Sequence, residues 1–315
     1  MAKIVVLNGD VVNYDGLIDW SRLGDDVAVY GTTLTSQILE RVRDATVVVT
    51  KEMPLPGNIV RQFPDSVRLV VEAGTGYNNH DLEALEDRGI VLCNVPAYST
   101  QRVAHTAIML MLNLASSMQV QMAMLAYGDH RNFTEHLMVP HEELNGKTLG
   151  VIGFGHIGKA VIAVARAMEM NILVATRTPR SDRDGIRFTT QENLLTKSDV
   201  VSLHVPLTPQ THHLMNATTF AMMKPGAFLI NTARGGLVDE DALIEALRNH
   251  EIAGAGLDVQ EHEPLADDSP LFGMSNVIVT PHIGWRGLET RQRLVGVVAD
   301  DIVAFVSGQP KNQVN

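Results

Sequence analysis

A glycine-rich turn between a strand-like run and a helix-like run restricts the fold of this chain more than any other feature. Residues 149–158 read LGVIGFGHIG, which places the spacing GxGxxG at Gly153, Gly155 and Gly158. We expect Gly153 to permit a tight turn, Gly155 to let the backbone approach a pyrophosphate, and Gly158 to bring helix and strand close together. The free N–H groups and positive dipole end of the following helix suit phosphate. The context predicts a dinucleotide-binding turn, and the alternative is a turn with a structural role only.

Short β-rich apolar runs alternate with helical patterns along the chain, as in parallel sheets that helices cover on both faces. The first set of strand candidates is Ile4–Leu7, Val27–Tyr30, Thr46–Thr50, Arg68–Val71 and Val91–Cys93. The second set is Leu149–Ile152, Ile172–Ala175, Val200–His204, Phe228–Asn231, Ala255–Asp258 and Val277–Thr280. Six strands in the second set match a full dinucleotide-binding sheet. The sequence therefore predicts an α/β protein of two doubly wound parallel-sheet domains.

Two long helical stretches bear on the domain organisation. Leu288–Val306 has helical periodicity. The simplest organisation is that this helix returns to the first domain. We expect a discontinuous domain of residues 1–98 plus 286–315, and a dinucleotide-binding domain of residues 99–285 inserted in it. The most apolar stretch, Val103–Ala126, is interrupted by polar residues and does not qualify as a bilayer span of about 20 apolar residues. We expect it to form a helix buried between domains or subunits.

Composition limits the partners and the compartment. The chain has 25 Lys+Arg and 36 Asp+Glu, a formal net charge of −11. Nucleic acid and anionic membranes carry the same sign of charge, so neither is expected to bind. The single cysteine, Cys93, cannot form an intramolecular disulfide, and the apolar run Ile4–Leu7 is too short for a signal peptide. We expect a soluble protein of the reducing cytoplasm.

The end of the strand after the glycine turn indicates which dinucleotide is bound. NAD-binding folds place Asp or Glu about 20 residues after the first glycine, whereas this chain has Thr176 there, followed by Arg177, Thr178 and Arg180. No carboxylate would repel a 2′-phosphate. Two charge-assisted hydrogen bonds of about 1.5–3 kcal/mol each, halved for exposure, give roughly a tenfold to hundredfold preference for NADP over NAD. The alternative is that the arginines are solvated loop charges.

Three polar segments follow later strands, at the edge where open α/β sheets bind ligands. They read NTARGG at 231–236, DVQEHEP at 258–264 and TPHIGW at 280–285. With the glycine turn, and with EAGTGYNN at 72–79, they resemble the D-isomer-specific 2-hydroxyacid dehydrogenase family over nearly the whole chain. Within that family they look most like glycerate dehydrogenases, that is hydroxypyruvate/glyoxylate reductases. The resemblance implies a flavodoxin-like substrate domain and a Rossmann coenzyme domain, with the active site in a cleft between them.

That reaction moves a hydride between nicotinamide C4 and C2 of a 2-oxo acid, and it needs a proton donor and a cation. His282 is the candidate acid/base, because an imidazole with an ordinary pKa of about 6.5 works in both directions near neutral pH. Glu263 would pair with that ring, and Glu261 is the competing carboxylate; the proline after Glu263 matches the family pattern. Arg234 offers a bidentate fork for the substrate carboxylate.

The resemblance implies further contacts. Those to the coenzyme are Thr75, Val103, Gly153, Gly155, His156, Ile157, Gly158, Thr176, Arg177, Thr178, Arg180, Val205, Pro206, Thr232, Ala233, Asp258 and Gly284. Those to the substrate are Ala73, Gly74, Thr75, Gly76, Arg234, His282 and Trp285. In this scheme backbone N–H groups of residues 74–76 hold the substrate carboxylate, and Asp258 bonds the nicotinamide carboxamide. Val103 packs behind the nicotinamide ring.

The family also implies a homodimer through residues 103–146. We expect no metal: His130, His136 and His141 lack ligand spacing, and the adjacent His212 and His213 should point apart on a helix. Two other functions stay open. One is an NAD-linked D-lactate or phosphoglycerate dehydrogenase, and the other is a nucleotide-sensing protein like the corepressors of the family.

Overall fold

The computed structural model describes residues 2–315, and the chain divides into two compact units. The first unit comprises the chain up to Ser99 together with Trp285–Asn315, and the second is Thr100–Gly284. Each boundary differs by one residue from the expected one, so that Ser99 and Trp285 both belong to the first unit. Trp285 is buried there in an apolar cluster with Leu294 and Val298, which is the physical reason for its place.

The strands within the described residues are β1 Ile4–Val6, β2 Val27–Val29, β3 Val47–Thr50, β4 Leu69–Glu72, β5 Val91–Cys93, β6 Thr148–Ile152, β7 Asn171–Ala175, β8 Ile186–Thr189, β9 Val200–Leu203, β10 Phe228–Asn231, β11 Gly254–Leu257 and β12 Val277–Val279. The α-helices are α1 Ile38–Arg41, α2 Gly57–Val60, α3 Leu82–Asp87, α4 Thr100–Ala115, α5 Met118–Ala126, α6 Arg131–Thr134, α7 His156–Ala167, α8 Gln191–Lys197, α9 Ala217–Phe220, α10 Glu240–Arg248 and α11 Leu288–Val306. Short 3₁₀ turns lie at Gly9–Val11, Trp20–Leu23, Thr35–Gln37, Gly235–Leu237 and Pro270–Gly273.

The sheet of the first unit has the order β2-β1-β3-β4-β5, and its strands are parallel. This is the flavodoxin-like order. Alternate residues of β1 face two separate apolar clusters: Ile4 and Val6 face one, and Val5 faces the other. Because both faces are covered, the strands have continuous apolar sequences rather than alternating ones. Helix α11 packs its apolar side into the first of these clusters.

The sheet of the second unit has the order β12-β11-β10-β9-β6-β7-β8, again all parallel. The strand order reverses between β6 and β9, as in a Rossmann fold. The prediction of two doubly wound parallel-sheet domains is confirmed. The expected six strands are a correction, because the sheet has a seventh, β8, at its edge. Sequence reasoning missed β8 because its residues Arg187, Phe188 and Thr189 are not fully buried.

The apolar stretch Val103–Ala126 does not form the single helix that we expected. Helices α4 and α5 are bent by 67° relative to one another at the break between them, where Ser117 has the left-handed φ of 49°. Helix α4 buries nine of its residues, whereas α5 buries none. Among residues 2–315, no single helix is long and apolar enough to cross a membrane. Within this range, only α4 and α5 taken together reach that length and apolar composition, and the two are bent relative to one another.

Candidate active site

The glycine turn follows β6 at the point where the strand order of the sheet reverses. Gly153 has φ +105°, and a Cβ there would lie 2.3 Å from the carbonyl oxygen of His204, just after β9. A Cβ on Gly158 would lie 2.5 Å from the carbonyl oxygen of Gly153, so the start of α7 packs tightly on the turn. Gly155 differs, because nothing lies within 4 Å of its Cβ position. The protein itself therefore does not require a glycine there, and the open space suits the close approach of a pyrophosphate.

The start of α7 is suited to a phosphate. Gly155 is its N-cap and supplies no side-chain hydrogen bond to the first turn, so the helix N-terminus keeps its donors for an anion. His156 is exposed and Ile157 is half-buried at this end of the helix. Across the turn, a Cβ on Gly153 would lie 2.9 Å from Val205 Cγ1. The glycine turn and Val205 are thus neighbours, and the exposed Pro206 follows. These residues fit a dinucleotide.

The loop after β7 carries the predicted NADP residues on the surface of the same unit. Thr176 Oγ1 donates to the carbonyl of Thr178 at 2.7 Å, and Arg177 and Arg180 are exposed. The guanidinium carbon of Arg180 lies 5.7 Å from the ring centroid of Phe154, which is inside the glycine turn.

Sequence reasoning missed two further cations here. Arg183 and Lys159 each lie 5.1 Å from the ring centroid of Phe154. The ring is in turn packed edge-to-face on Phe188, with centroids 5.2 Å apart. The only signal in the sequence was the proximity of both cations to the glycine turn and to its arginine loop. The result is a group of cations around one aromatic ring beside the predicted pyrophosphate position.

The segment after β10 forms a tight turn that presents Arg234. Asn231 explains the turn: its Oδ1 accepts from Ala233 N at 3.1 Å, and its Nδ2 donates to Arg234 O at 2.9 Å. The guanidinium of Arg234 is half-buried, and its Nη1 donates to Ala233 O at 2.7 Å. Thr232 Oγ1 is buried and has no hydrogen-bond partner among residues 2–315. A buried hydroxyl of this kind normally has a partner, and a bound coenzyme would supply one.

Gly235 brings the arginine turn against the loop after β11. A Cβ on Gly235 would lie 1.8 Å from the carbonyl oxygen of Gln260. No side chain fits there, so the backbones of the two loops are in contact. Since the loop after β11 also carries Glu263, Arg234 and Glu263 belong to neighbouring segments.

His282 and Glu263 are brought together from separate loops. His282 Nδ1 lies 2.8 Å from Glu263 Oε2, and Glu263 Oε1 accepts from Gln260 N at 3.1 Å. His282 has the left-handed φ of 50°, an unfavourable conformation for a residue with a Cβ. Two hydrogen bonds hold it there: its N–H donates to the carbonyls of Asp258 and Thr280, both at 2.9 Å.

The competing carboxylate, Glu261, has another partner. Its Oε1 lies 2.6 Å from His213 Nε2, and its Oε2 accepts from Glu240 N at 3.2 Å. The structure therefore pairs Glu263, and not Glu261, with the candidate acid/base.

Asp258 holds the segment that ends in Gly284. Its Oδ1 accepts from Thr280 Oγ1 at 2.6 Å and from Ile283 N at 2.9 Å, and its Oδ2 accepts from Gly284 N at 2.8 Å. Burial raises the pKa of this carboxyl, and those hydrogen bonds act against the rise. Three of about four acceptor positions are thus in use, which leaves one for the predicted carboxamide. The buried Val103 is adjacent, 3.5 Å from a Cβ on Gly284.

In the first unit, the predicted substrate turn lies after β4. Here the structure corrects one expectation: the N–H of Gly74 donates to Glu72 O at 2.7 Å, so it is not open to a carboxylate. The buried Ala73 likewise donates its N–H to Thr50 O at 2.7 Å. The turn is fixed by Thr75 Oγ1, which donates to Val95 O at 2.9 Å. The N–H groups of Thr75 and Gly76 remain the candidates.

Below that turn lies a buried polar cluster that sequence reasoning missed. Thr50 Oγ1 lies 3.0 Å from Glu72 Oε2 and 3.1 Å from His80 Nε2. Burial raises the pKa of Glu72 to about 7 and lowers the pKa of His80 to about 4. Lys51 Nζ forms an ion pair with Glu52 and lies 4.1 Å from the ring centroid of Trp285. Trp285 itself is buried in this unit.

The two adjacent histidines do not adopt the geometry that we expected. His212 and His213 lie in a turn rather than on a helix, and their rings stack with centroids 3.9 Å apart instead of pointing apart. Two successive rings can stack because His213 has the left-handed φ of 50°.

Comparison with known proteins agrees with this geometry. The family model described as "D-isomer specific 2-hydroxyacid dehydrogenase, NAD binding domain" matches residues 108–284. Hydroxypyruvate reductase of Blautia hydrogenotrophica is 35% identical over an alignment of 322 residues, which covers 99% of each chain. Glyoxylate reductase of Thermococcus litoralis is 37% identical, covering 88% of this chain and 86% of that protein. The solved structure of the acyclic imino acid reductase Bsp5, in complex with NADPH and D-Arg, has a TM-score of 0.88 at 26% identity and covers 99% of this chain and 100% of its own. The chain thus belongs to the D-isomer-specific 2-hydroxyacid dehydrogenase family.

Proposed function

We propose that this protein reduces glyoxylate or hydroxypyruvate, to glycolate or D-glycerate, with NADPH as the coenzyme. The observation that carries the proposal is the pairing of His282 Nδ1 with Glu263 Oε2 at 2.8 Å. Such a pair gives an oriented proton donor, which a reductase needs and a protein that only binds nucleotide does not. The names of the two curated relatives, a hydroxypyruvate reductase and a glyoxylate reductase, support this substrate class.

The proposed chemistry follows from the geometry of the pair. Glu263 holds Nδ1 of the imidazole, so Nε2 is the atom that exchanges a proton with the substrate oxygen. In the reduction, the imidazolium donates its proton to the oxygen on C2 as that oxygen gains negative charge. The carboxylate of Glu263 stabilises the imidazolium that precedes this transfer. When bound, the coenzyme would supply the hydride that C2 accepts.

Arg234 is assigned to the substrate carboxylate. The hydrogen bond from Nη1 to Ala233 O fixes the guanidinium on its own turn, and a guanidinium that is held in one plane binds a carboxylate through two parallel bonds. A third N–H can polarise the ketone. Thr75, Gly76 and Trp285 remain predictions for the substrate.

The NADPH preference is proposed from the cations around Phe154. Arg180, Arg183 and Lys159 all lie within 6 Å of that ring centroid, and Thr176 stands where a carboxylate would select NAD. The bound NADPH in the Bsp5 structure shows that a relative of similar fold accepts this coenzyme.

A homodimer is also proposed, through residues 103–146. Large apolar side chains are exposed there, among them Met122 at 59%, Phe133 at 77% and Tyr127 at 90%. Several large exposed apolar side chains in one segment are typical of a protein interface. Sedimentation of the purified protein tests it, and a monomer at micromolar concentration would contradict it.

The test of the activity is a steady-state assay at the nicotinamide absorbance band with glyoxylate and hydroxypyruvate. We expect turnover of both, and a value of kcat/KM for NADPH that exceeds that for NADH by about tenfold to hundredfold. His282→Ala should lower kcat by about 10²- to 10⁴-fold, the usual contribution of a general acid, while the affinity for NADPH, measured by calorimetry, is unchanged.

His262→Ala is the matched control, since that exposed histidine lies in the same loop as Glu263. It should keep kcat within a few-fold of the wild-type value. Wild-type kcat in His282→Ala would refute the acid/base assignment. Absence of turnover of both 2-oxo acids by the wild-type protein, with NADPH binding retained, would refute the substrate class.

A further inference from the structure

A second cluster of imidazole and carboxylate groups lies outside the catalytic pair. It is made by the turn after β9, which carries His212 and His213, and by the loop after β11, which carries Glu261. One nitrogen of each ring and one oxygen of the carboxylate all lie within 4.8 Å of one another. Against our expectation from the sequence, we propose that these three side chains bind one divalent transition-metal ion of the Zn²⁺ class.

The orientation of His213 supports a ligand role. Its Nε2 lies 2.6 Å from Glu261 Oε1, and its Nδ1 faces Asp239 Oδ2 at 3.9 Å. Histidines that bind metals through one nitrogen usually direct the other at a carboxylate or carbonyl, which fixes the tautomer and raises the basicity of the ligand. Glu261 is also fixed, because its Oε2 accepts from Glu240 N at 3.2 Å. Its Oε1 is therefore held toward the imidazole.

The charge around the cluster is negative. Four carboxylates are close in space here: Asp239, Glu240, Asp241 and Glu261. Within residues 2–315, the ion-pair partner of both Asp239 and Glu261 is His213. Glu240 is half-buried and lies against Glu261, whose N–H donates to Glu240 Oε2 at 3.4 Å. Carboxylates that repel one another favour a cation, and two neutral imidazoles beside a carboxylate are ligands that Zn²⁺ prefers.

The distances need only small movements of side chains. Ligand atoms on a tetrahedral zinc, each about 2.0–2.1 Å from the ion, are about 3.3 Å apart. His213 and Glu261 would separate by less than an ångström as the proton between them leaves. His212 is exposed and can swing inward from its stacked position. Water would complete the coordination. Because the ion displaces a proton, the affinity should rise with pH.

The position of the cluster means that a bound ion would connect two segments of the chain. His213 N donates to Gly236 O at 2.9 Å, which joins its turn to the turn that begins at Arg234. Glu261 lies two residues before Glu263 in the chain. An ion would therefore cross-link the segments next to Arg234 and Glu263. Binding is independent of the proposed reaction, since it needs neither coenzyme nor substrate.

The test is a Zn²⁺ titration of protein that has been treated with a chelator and dialysed, followed by calorimetry, and a Co²⁺ titration followed by visible absorption. We expect one saturable site per chain and the intense bands of low-coordinate Co²⁺. His213→Ala and Glu261→Gln should each weaken the affinity at least tenfold, and Asp239→Asn about 10- to 100-fold as an outer partner. His136→Ala, an exposed histidine of the same unit, should bind as the wild type does.

Two results would overturn the proposal. One is no saturable binding of Zn²⁺ by the wild-type protein. The other is wild-type affinity in both His213→Ala and Glu261→Gln. Far-ultraviolet circular dichroism shows whether each variant is folded, and the near-isosteric Glu261→Gln serves if His213→Ala is not.

Discussion

Replacing Asp258 by asparagine tests whether this residue holds the segment around His282 in place or would only contact the coenzyme. The carboxylate accepts three hydrogen bonds from Thr280, Ile283 and Gly284, and its backbone carbonyl accepts the N–H of His282. Asparagine has the same shape but replaces one oxygen with an NH₂ group. In either orientation of the amide, its NH₂ group faces the backbone N–H of Ile283 or of Gly284. Both groups are donors, so that hydrogen bond is lost.

The magnitude follows from these bonds. Losing one charge-assisted bond and leaving a buried donor unpaired destabilises by about 2–4 kcal/mol. Part of this is offset, because burial raises the pKa of Asp258 and the neutral amide avoids the desolvation of a charge. We expect a net loss of about 2 kcal/mol in the free energy of unfolding. For a domain of about 150–250 residues this lowers Tm by about 4–8 °C.

The assay is thermal unfolding of the protein without coenzyme, together with kcat under saturating substrate. Asp267→Asn is the matched control, because Asp267 is an exposed acid in the loop after β11; it should leave Tm unchanged. We expect Asp258→Asn to lower both Tm and kcat, since the segment that directly follows His282 loses a hydrogen bond at Ile283 or Gly284. An unchanged Tm with weaker coenzyme binding would show that Asp258 acts on the carboxamide alone and does not hold the segment around His282.

Three further predictions concern charges. Arg234→Lys should lower kcat/KM for the 2-oxo acid at least tenfold, because lysine cannot form the fork; a near-wild-type value counts against the assignment. Replacing Arg177 and Arg180 by serine should remove most of the NADPH preference, and an equal loss with NADH would mean that the loop does not recognise the phosphate. The raised pKa of Glu72 makes its contribution to stability fall as pH rises from 4.5 through about 7, whereas the lowered pKa of His80 makes its contribution fall as pH drops from 6.5 toward about 4. Glu72→Gln removes the first effect, so the variant should lose about 2 kcal/mol more than the wild type between pH 7 and pH 5, measured by urea unfolding; parallel pH curves would contradict this.

The sheets were predictable from the sequence because both faces of each sheet are covered. Buried parallel strands such as Val47–Thr50 and Phe228–Asn231 are short continuous apolar runs, and they were found within a residue or two of their observed ends. Helix α11 was found at its observed bounds. Where burial is partial, the pattern weakens: β8 lies at an edge, and three of its four residues are not fully buried.

The break between α4 and α5 was not predictable from the pattern of apolar residues, because that pattern continues from one helix into the other. What separates them is the left-handed φ of Ser117, whose Oγ donates to Pro140 O at 2.7 Å. That contact joins residues far apart in the chain. The N–H of Gly74 illustrates a different limit, because its acceptor is a backbone carbonyl only two residues before it. A motif identifies the residues of a turn, but not which of their donors are already used.

The two glutamates of the DVQEHEP segment show that the motif alone does not identify the carboxylate that pairs with His282. Glu261 and Glu263 are the same residue type, two positions apart, and each pairs with a histidine from a different loop. The backbone N–H of Gln260 donates to Glu263 Oε1, and the other oxygen of that carboxylate, Oε2, lies 2.8 Å from His282 Nδ1. Gly235 lies against the next peptide, since a Cβ there would lie 1.8 Å from Gln260 O and 2.5 Å from Glu261 N. The turn of Arg234 therefore packs on the loop that carries both glutamates, so we expect a side chain at position 235 to displace Arg234 and Glu263 together.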